Sequence, residues 1–490
     1  MENSAANPEN EPVIENKELS IWEALIPVLI LVAMLAFNVF VFGDDALGGS
    51  NQFILLLGGA VAAIVGYFNK VKFDTMVDEV AGNIQSTSGA ILILLMVGAL
   101  AGTWLISGII PTMIYYGLLI LNPTIFLAAC VVICSVISVA TGSSWTTSAT
   151  VGIALIGIAD ALGIGLGMTA GAILSGAYFG DKMSPLSDTT NLAPAMAGTD
   201  LFTHIKYMAL TTVPTITITL IAFIIIGLNL DTSGNTDTSA ILASIEKSFT
   251  ITPWLFIVPV IVIFLIVKKT SPLIALLVGT LAGAVAALIV QPDIVLAVSG
   301  MNELNFISGY KGLMNAITVD TAVETDSKTL NDLFASSGMQ GMLGTIWLII
   351  CAMVFGGIME AIGALSRISK ALLNLFHTTF GLFASTVFSC LALNVTASDQ
   401  YLAIVVPGKM FAKAYKDKGL APENLSRSLE DSGTVTSVLI PWNTCGAYHS
   451  GVLGVPVLSY AGYAFFNYLS PFMTLLFAAI GLKIRKISTK

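Results

Sequence analysis

Two polar segments, residues 180–191 and 430–446, interrupt apolar stretches that are otherwise long enough to cross a membrane. Each segment contains carboxylates, hydroxyls and a proline. Because lipid offers no hydrogen-bond partners, non-helical backbone at membrane depth persists only where it is buried in protein or lines a cavity. Ionisable side chains at that depth are costly and usually mark a path for ions or substrates. One break in each half of the chain is therefore typical of a central site between two broken helices.

The composition is that of a protein embedded in a bilayer. Of the 490 residues, 56% are hydrophobic and 10% are charged, whereas a soluble domain carries about 25% charged residues. The apolar runs approach the ~20 residues that a membrane-spanning helix needs. We therefore predict an all-α polytopic membrane protein. Residues 1–19 are polar and acidic and lack the basic start of a signal peptide, so we expect a disordered cytoplasmic tail there.

Lysine and arginine residues concentrate in a few loops, and the loops between them are acidic or neutral. The positive-inside rule places basic loops in the cytoplasm. This rule predicts that both termini are cytoplasmic, with a second tail at 483–490, and that the protein spans the cell (plasma) membrane many times. The predicted spans are 20–42, 51–69, 84–106, 166–198, 206–228, 251–268, 272–291, 340–362, 428–455 and 457–482.

Two further stretches, 124–160 and 372–414, leave one side of the membrane and must return to the same side. Each is predicted to form a re-entrant hairpin or a tight helical pair. Each half then has five spans and one hairpin, and an odd number of spans turns the second half upside down. The sequence therefore predicts an inverted-topology repeat with two discontinuous helices, a common plan in secondary transporters. The predicted units are a first repeat at 20–228, an external linker at 229–250 and a second, inverted repeat at 251–482.

An internal repeat supports this plan. At a fixed offset of 255 residues the polar hairpin tips coincide, because Thr141 meets Thr396 and Ser143 meets Ser398. At an offset near 250, Asp181 of the first break meets an aspartate of the second break. In both halves the acidic break therefore follows the polar tip.

The hairpin tips offer oxygen atoms to a cation. Hard cations such as Na⁺ take oxygen ligands, as Ca²⁺ and Mg²⁺ do, and half-helix ends near the membrane midplane add favourable dipoles. The alternative is that these hydroxyls bond back to helix carbonyls and only help helices to pack. The candidate ligands at the tips are Ser143, Ser144, Thr396, Ser398 and Asp399.

The first break contains Asp181, Lys182, Asp188 and Asn191, and Pro185 argues against an unbroken helix through it. We expect Lys182 to neutralise one of these aspartates, since a nearby cation favours the ionised form of a carboxylate. The other aspartate would then be free to exchange H⁺ for Na⁺. A structural Asp–Lys pair at a cytoplasmic helix end is the alternative.

The second break supplies a matching set of candidate ligands, Asp431, Asn443 and Thr444. Asp431 is the counterpart of the first aspartate of the other break. Glu430 precedes it and is either a secondary proton-binding group or a cytoplasmic cap beside Arg427, which belongs to a basic cytoplasmic cluster.

Two residues outside the breaks are candidates for moving protons. His449 titrates near neutral pH, although a lone histidine near an external span end is commonly just hydrogen-bonded. Glu360 lies alone in an apolar run without a basic partner on its own segment. The complete set of candidates for a proton relay or a secondary role is Glu360, Glu430, Lys182 and His449.

The sequence lacks the motifs of several other protein classes. It contains no GxxxxGK[ST] loop and no HExxH motif, and it has no basic patch for nucleic acid. The five cysteines lie in apolar or buried-looking segments. Cys130 and Cys134 share a helix face, but no histidine lies near these two in the sequence, which favours packing over metal binding. A channel normally needs symmetric pore rings, which two unequal halves do not supply. We therefore expect a transporter that is not an enzyme and has no cofactor.

The first break and its surroundings resemble the NhaC family of Na⁺/H⁺ antiporters. The resemblance rests on GAYFGDKMSPLSDTTNLAP at 176–194, EDSGT at 430–434 and PWN at 441–443, and it extends over nearly the whole chain except the N-terminal tail. This family belongs to an ion-transporter superfamily whose members have inverted repeats with two re-entrant hairpins. The resemblance therefore implies that architecture in a prokaryotic cell membrane.

The resemblance also implies exchange of cytoplasmic Na⁺ for external H⁺, with Asp181, Asp188, Asp399 and Asp431 as candidate carboxylates that both ions share. Some relatives are described as malate/Na⁺-lactate antiporters, so a Na⁺- and H⁺-coupled organic acid exchanger is the alternative. The lack of an arginine in mid-span argues against a tightly held dicarboxylate. The expected partners are Na⁺, H⁺ and lipid, with small carboxylates in the alternative and no nucleic acid; a homodimer is left open.

Overall fold

The computed structural model describes residues 19–42, 48–120, 122–230, 238–268, 270–325, 331, 334–375 and 378–487. This set does not include residues 1–18 of the predicted tail at 1–19, residues 231–237 of the predicted external linker or the last residues, 488–490.

The described chain is almost entirely helical. The helices of the first half are α1 (Ile21–Phe42), α2 (Ser50–Phe68), α3 (Phe73–Ile106), α4 (Ile109–Ile120), α5 (Pro123–Thr141), α6 (Ser144–Thr147), α7 (Ile153–Ala161), α8 (Leu166–Met183), α9 (Asp188–Ala197) and α10 (Leu201–Asn229). Those of the second half are α11 (Thr238–Ser248), α12 (Ile257–Val267), α13 (Pro272–Val290), α14 (Pro292–Ser299), α15 (Phe306–Thr318), α16 (Gly338–Gly341), α17 (Leu343–Ala361), α18 (Ala364–Leu375), α19 (Thr379–Thr396), α20 (Leu402–Asp417), α21 (Pro422–Leu429), α22 (Thr444–Leu453), α23 (Val457–Ala461) and α24 (Phe465–Ala479). Two short antiparallel strands, β1 (Thr321–Ala322) and β2 (Ala335–Ser336), form the one sheet among the described residues.

Eight of the described helices are long and apolar enough to cross a membrane, which confirms the all-α polytopic class. They are α1, α2, α3, α5, α10, α13, α19 and the continuous pair α16–α17. Three predicted spans, 166–198, 428–455 and 457–482, are instead interrupted, and the predicted span at 251–268 belongs to a helix pair bent by 85°. The structure also contains a short apolar helix, α4, where the loop charges predict no span.

Both predicted breaks are present. α8 ends at Met183 and α9 begins at Asp188, because Ser184 is held in the extended conformation that a residue before proline prefers. In the second break, α21 runs into a π-helical segment at Glu430–Thr434, and Asn443 then caps α22. π-Helical turns are rare and frequently mark functional sites.

Two helix pairs lie where the hairpins are predicted, and their bounds repeat along the chain. α5 ends at Thr141, and Gly142 adopts a left-handed turn with φ 74° before α6 begins. α19 ends at the counterpart, Thr396, 255 residues later. α4 and α18 also begin and end 255 residues apart, although neither was predicted. The internal repeat therefore extends beyond the tips from which it was inferred.

α5 and α8 approach closely because α8 presents glycines to its neighbour. A Cβ atom at Gly176 would lie 2.3 Å from the carbonyl oxygen of Val131, and one at Gly180 would lie 2.0 Å from the Oγ of Ser138. Small residues at such a contact let two membrane helices pack backbone to backbone. The contact brings the next residue of α8, Asp181, beside the first hairpin tip.

The segment 292–338 contains α14, α15 and the strand pair. α15 begins with a capping box in which Asn305 and Ser308 exchange hydrogen bonds. Gly102 of α3 leaves room for the backbone of Ala316, so α15 packs directly on the first half of the chain.

The described part of the C-terminal tail, residues 483–487, lies against the start of α21 and the first turns of α10. The buried Asn424 side chain donates to the Arg485 carbonyl at 2.6 Å and accepts from the Tyr207 hydroxyl at 2.5 Å. The Arg485 guanidinium is 60% exposed and pairs with Glu423 at 2.8 Å. α10 itself begins at the exposed cap Asp200, whose pKa is lowered by hydrogen bonds from Thr203.

Candidate functional site

A cavity of about 580 Å³ lies where the first break meets both hairpin tips. Residues 141–145 of the first tip, 399–401 of the second tip and 185–189 of the break line it, together with Asp181 and Thr444. The predicted site has four parts, which are the two hairpin tips and the two breaks. The cavity brings together both tips and the first break, whereas the second break contributes a single lining residue among those described, Thr444.

Asp181 presents a fully hydrogen-bonded carboxylate to this cavity. The Ser144 backbone N–H donates to its Oδ1 at 2.9 Å, and the Ser144 hydroxyl donates to its Oδ2 at 2.5 Å. The main-chain carbonyl of Asp181 accepts from the Thr190 hydroxyl, which fixes the turn between α8 and α9. The Asp181 carboxyl group therefore combines two hydrogen-bond donors with access to the open space of the cavity.

Two further carboxylates line the same cavity. Asp188 is exposed at the first turn of α9, and Asp399 is buried at the second tip, where it accepts the Leu402 N–H at 2.9 Å. No lysine, arginine or histidine is among the described residues that line the cavity. Three acidic groups without a basic neighbour in the lining create a negative potential that attracts cations.

Asp431 lies outside the cavity and is paired with Lys182. The Lys182 Nζ is 2.5 Å from its Oδ1, and neither side chain has any exposed surface. Thr474 donates to the other carboxylate oxygen, and Lys182 also donates to Ser470 at 3.2 Å and lies 4.8 Å from the centre of the Phe466 ring. The expectation that Lys182 neutralises an aspartate of its own segment is therefore wrong, because its partner belongs to the other break.

Arg427 does not lie in a surface loop, contrary to its assignment to a basic cytoplasmic cluster. Its guanidinium is fully buried among the rings of Tyr207, Phe383 and Phe477, at 4.6, 6.0 and 5.8 Å from their centres. Its nitrogens have no hydrogen-bond partner in the described part of the chain. Aromatic faces stabilise a buried cation, so a buried arginine does exist, although it does not line the cavity.

Four of the predicted ligands support the site without lining the cavity. Asn191 donates to the carbonyls of Pro185 and Ser187 and holds the first break in shape. Asn443 caps α22 and bonds to a neighbouring amide. Thr396 and Ser398 are buried, and the Ser398 carbonyl accepts the Thr444 N–H at 2.9 Å.

The secondary candidates occupy separate environments. His449 is fully buried against Tyr178 and Tyr448, with ring centres 5.5 and 5.2 Å away, rather than near a span end. Neither of its nitrogens has a hydrogen-bond partner among the residues described. Glu360 lies in the last turn of α17, and Glu79 of α3 is a second acidic group within electrostatic reach of it.

The structure adds residues that sequence reasoning missed. Thr474 and Ser470 of α24 hold the buried ion pair, and Thr189 lines the cavity beside the break. The spacing of Asn467, Ser470 and Thr474 puts polar groups on one face of an apolar helix, which is a signal that the sequence contained.

Residues 176–482, well over half of the chain, match the model of the Na⁺/H⁺ antiporter family. The chain belongs to this family. This chain is 36% identical to the Na⁺/H⁺ antiporter NhaC of Alkalihalophilus pseudofirmus over 426 aligned residues. The alignment covers 87% of this chain and 89% of the relative. The resemblance drawn from the two breaks is confirmed.

Other members of the family carry different names. The malate-2H⁺/Na⁺-lactate antiporter of Bacillus subtilis is 35% identical over 472 residues, covering 95% of this chain and 94% of that one. The arginine/ornithine antiporter ArcD of Halobacterium salinarum is 33% identical over 474 residues, covering 96% and 93%. All three relatives are antiporters by name.

Proposed function

We propose that this protein is a secondary active transporter that exchanges cytoplasmic Na⁺ for external H⁺ by alternating access. The observation that carries the proposal is the cavity in which Asp181, Asp188 and Asp399 meet without a basic side chain in the lining. Na⁺ and H⁺ are the cargo, and both bind to carboxylate oxygens.

The cavity supplies the oxygen atoms that a hard cation needs. Asp181 of the first break and Asp399 of the second hairpin tip each provide a carboxylate. Asp188, in the first turn of α9, adds a third. The hydroxyls of Ser143, Ser144 and Thr444 complete the set of side-chain ligands. Asp431 acts on this site through Lys182, since the pair joins the two breaks.

Several residues of the cavity lining lie close in sequence to the basic loops that the positive-inside rule assigns to the cytoplasm. Ser86 and Thr87 lie in the first half of α3, which follows Lys70 and Lys72, and residues 270–272 follow Lys268. This arrangement supports a cytoplasm-facing conformation that is ready to receive Na⁺, with both termini on the same side.

The proposal includes an inverted repeat of 20–228 and 251–482 joined by an external linker at 229–250. The coincident bounds of α4 with α18 and of α5 with α19 support it. Alternating access would follow if the hairpin-bearing helices moved against the others in a cell membrane.

A second candidate is a Na⁺- and H⁺-coupled organic acid exchanger. A volume of about 580 Å³ exceeds what a single Na⁺ needs and would hold a small carboxylate such as malate. Three carboxylates in the lining oppose such an anion, and neither Lys182 nor His449 lines the cavity. The geometry therefore favours Na⁺/H⁺ exchange.

Transport by the purified full-length protein in proteoliposomes tests the proposal. A pH gradient should drive ²²Na⁺ flux without malate or lactate, and the flux should fall at acid pH because protons compete for the carboxylates. Asp181→Asn should abolish the flux, whereas Asp74→Asn, at an exposed aspartate of α3, should leave it unchanged. Flux that requires malate or lactate would establish the second candidate, and flux independent of pH would exclude proton coupling.

A further inference from the structure

Glu430 is a buried carboxyl group without a basic partner among the described residues. Its side chain has no exposed surface, and the groups that face it include the hydroxyls of Thr189 and Thr434 rather than a free cation. It lies at the start of the π-helical segment, directly before Asp431. A buried, unpaired, ionised carboxylate is strongly disfavoured, so this environment accepts the neutral, protonated form of Glu430.

The surrounding charges do not compensate an ionised Glu430. Asp181 and Lys182 of α8 lie within electrostatic reach, but the ammonium of Lys182 is already bound to Asp431. Arg427, one turn earlier, makes no ion pair with Glu430 and is enclosed by aromatic rings. Four other helices pack against the π-helical segment. Of these, α9 presents the Thr189 hydroxyl and α19 presents the Cys390 thiol. The lysines of α20, Lys409, Lys413 and Lys416, are exposed, and α24 contains no charged residue.

Asp181 has a different environment although it is close to Glu430. Two donors from Ser144 hold its carboxyl group, and that group faces the cavity. A cation in the cavity can therefore reach Asp181, whereas Glu430 is buried outside the cavity lining.

We infer that the two ions bind at different carboxyl groups, Na⁺ at Asp181 in the cavity and the proton at Glu430 outside it. The inference rests on the proposed antiport and replaces a single shared cluster with two coupled sites. Thr189 connects them, because it lines the cavity and lies beside Glu430.

Electrostatic repulsion couples the two sites. Without Na⁺, the charge of Asp181 favours a proton on Glu430, because two nearby anions repel each other. When Na⁺ neutralises Asp181, this repulsion ends, and Glu430 can pass its proton towards the cavity by way of the Thr189 hydroxyl. One cation then replaces another, and the total charge of the site stays constant, as a one-for-one exchange requires.

The test measures proton release by the purified full-length protein in weakly buffered detergent solution. Addition of NaCl, with choline chloride as the control salt, should release one proton for each Na⁺ that binds to the wild type. Glu430→Gln, which mimics the protonated side chain, should bind ²²Na⁺ with little change in affinity and release no proton. Asp181→Asn should neither bind Na⁺ nor release protons.

Glu423→Gln is the matched control, since Glu423 lies on α21 seven residues earlier and is paired with Arg485. It should release protons as the wild type does. Proton release by folded Glu430→Gln would overturn the inference, and so would loss of its Na⁺ binding, because Glu430 would then belong to the Na⁺ site. A wild type that binds no Na⁺ would instead refute the proposed antiport itself.

An infrared measurement on the wild type does not depend on any variant folding. Na⁺ should remove the absorption of a protonated carboxyl group, and ¹³C labelling of glutamate side-chain carboxyls should shift that band, whereas the same labelling of aspartate should not. A band that shifts only with labelled aspartate would place the proton on Asp181 or its neighbours and overturn the inference.

Discussion

Loss of either partner of the buried pair of Lys182 and Asp431 should destabilise this protein strongly. The paired atoms are 2.5 Å apart with no exposed side-chain surface, so removal of one partner leaves a charge without solvent or counter-ion. In Lys182→Met, Asp431 can avoid that state by taking a proton. At pH 7 this costs about 4 kcal/mol, since the reference pKa is about 3.9 and each unit is worth about 1.36 kcal/mol.

The direction of the pH dependence follows from the same reasoning. Protonation of an unpaired Asp431 becomes easier as the pH falls, so the destabilisation of Lys182→Met should shrink to about 1.5 kcal/mol at pH 5. Asp431→Asn should behave in the opposite way, because Lys182 must lose a proton, at about 5 kcal/mol at pH 7 and more at lower pH. The double variant removes both charges and should lie within about 2 kcal/mol of the wild type.

The assay is reversible unfolding in mixed detergent micelles, followed by tryptophan fluorescence at pH 5 and pH 7 for the four proteins of the cycle. The coupling between the two positions should amount to several kcal/mol. Equal destabilisation of Lys182→Met at both pH values would refute the reasoning, as would a double variant whose loss equals the sum of the single losses.

Three further variants test the site and the packing around it. Ser144→Ala removes one of two donors to the cavity carboxylate, so the apparent Na⁺ affinity should fall about tenfold or more in transport assays; unchanged affinity would exclude that carboxylate from the Na⁺ site. Gly180→Ala places a Cβ atom 2.0 Å from a side-chain oxygen of α5 and should sharply lower the yield of folded protein, whereas Gly462→Ala, which has open space, should not. Asn424→Ala should destabilise by about 2 kcal/mol or more because a buried amide loses its bonds, and Arg485→Ala by about 1 kcal/mol because its guanidinium is 60% exposed and water can replace it beside Glu423; the reverse order of melting temperatures would contradict this assignment.

The local features of the fold were predictable because they depend on nearby residues. Pro185 ends α8 through the extended residue before it, and the polar tips end α5 and α19 at Thr141 and Thr396. The apolar runs long enough to span a membrane appear as helices. α4 and α18 were missed because they lie in stretches to which the loop charges assigned no span.

The partners of the charged groups could not be predicted in the same way. The carboxylates of Asp181 and Asp431 are counterparts along the chain, yet one faces a cavity with Ser144 as its donor and the other is bound to Lys182. Arg427 lies in a run of basic residues that looks like a surface loop, but three aromatic rings from distant helices enclose it.

The sequence alone determined that the chain is a helical membrane protein with two broken helices, because hydrophobic length and proline act locally. Only the tertiary structure decided which carboxylate is open to an ion, which is paired and which is buried alone. Those states depend on desolvation and on groups about 250 residues apart in the chain. Glu430 and Asp431 are adjacent in the sequence, but their side chains meet different neighbours, and the chemistry of the site follows from that difference.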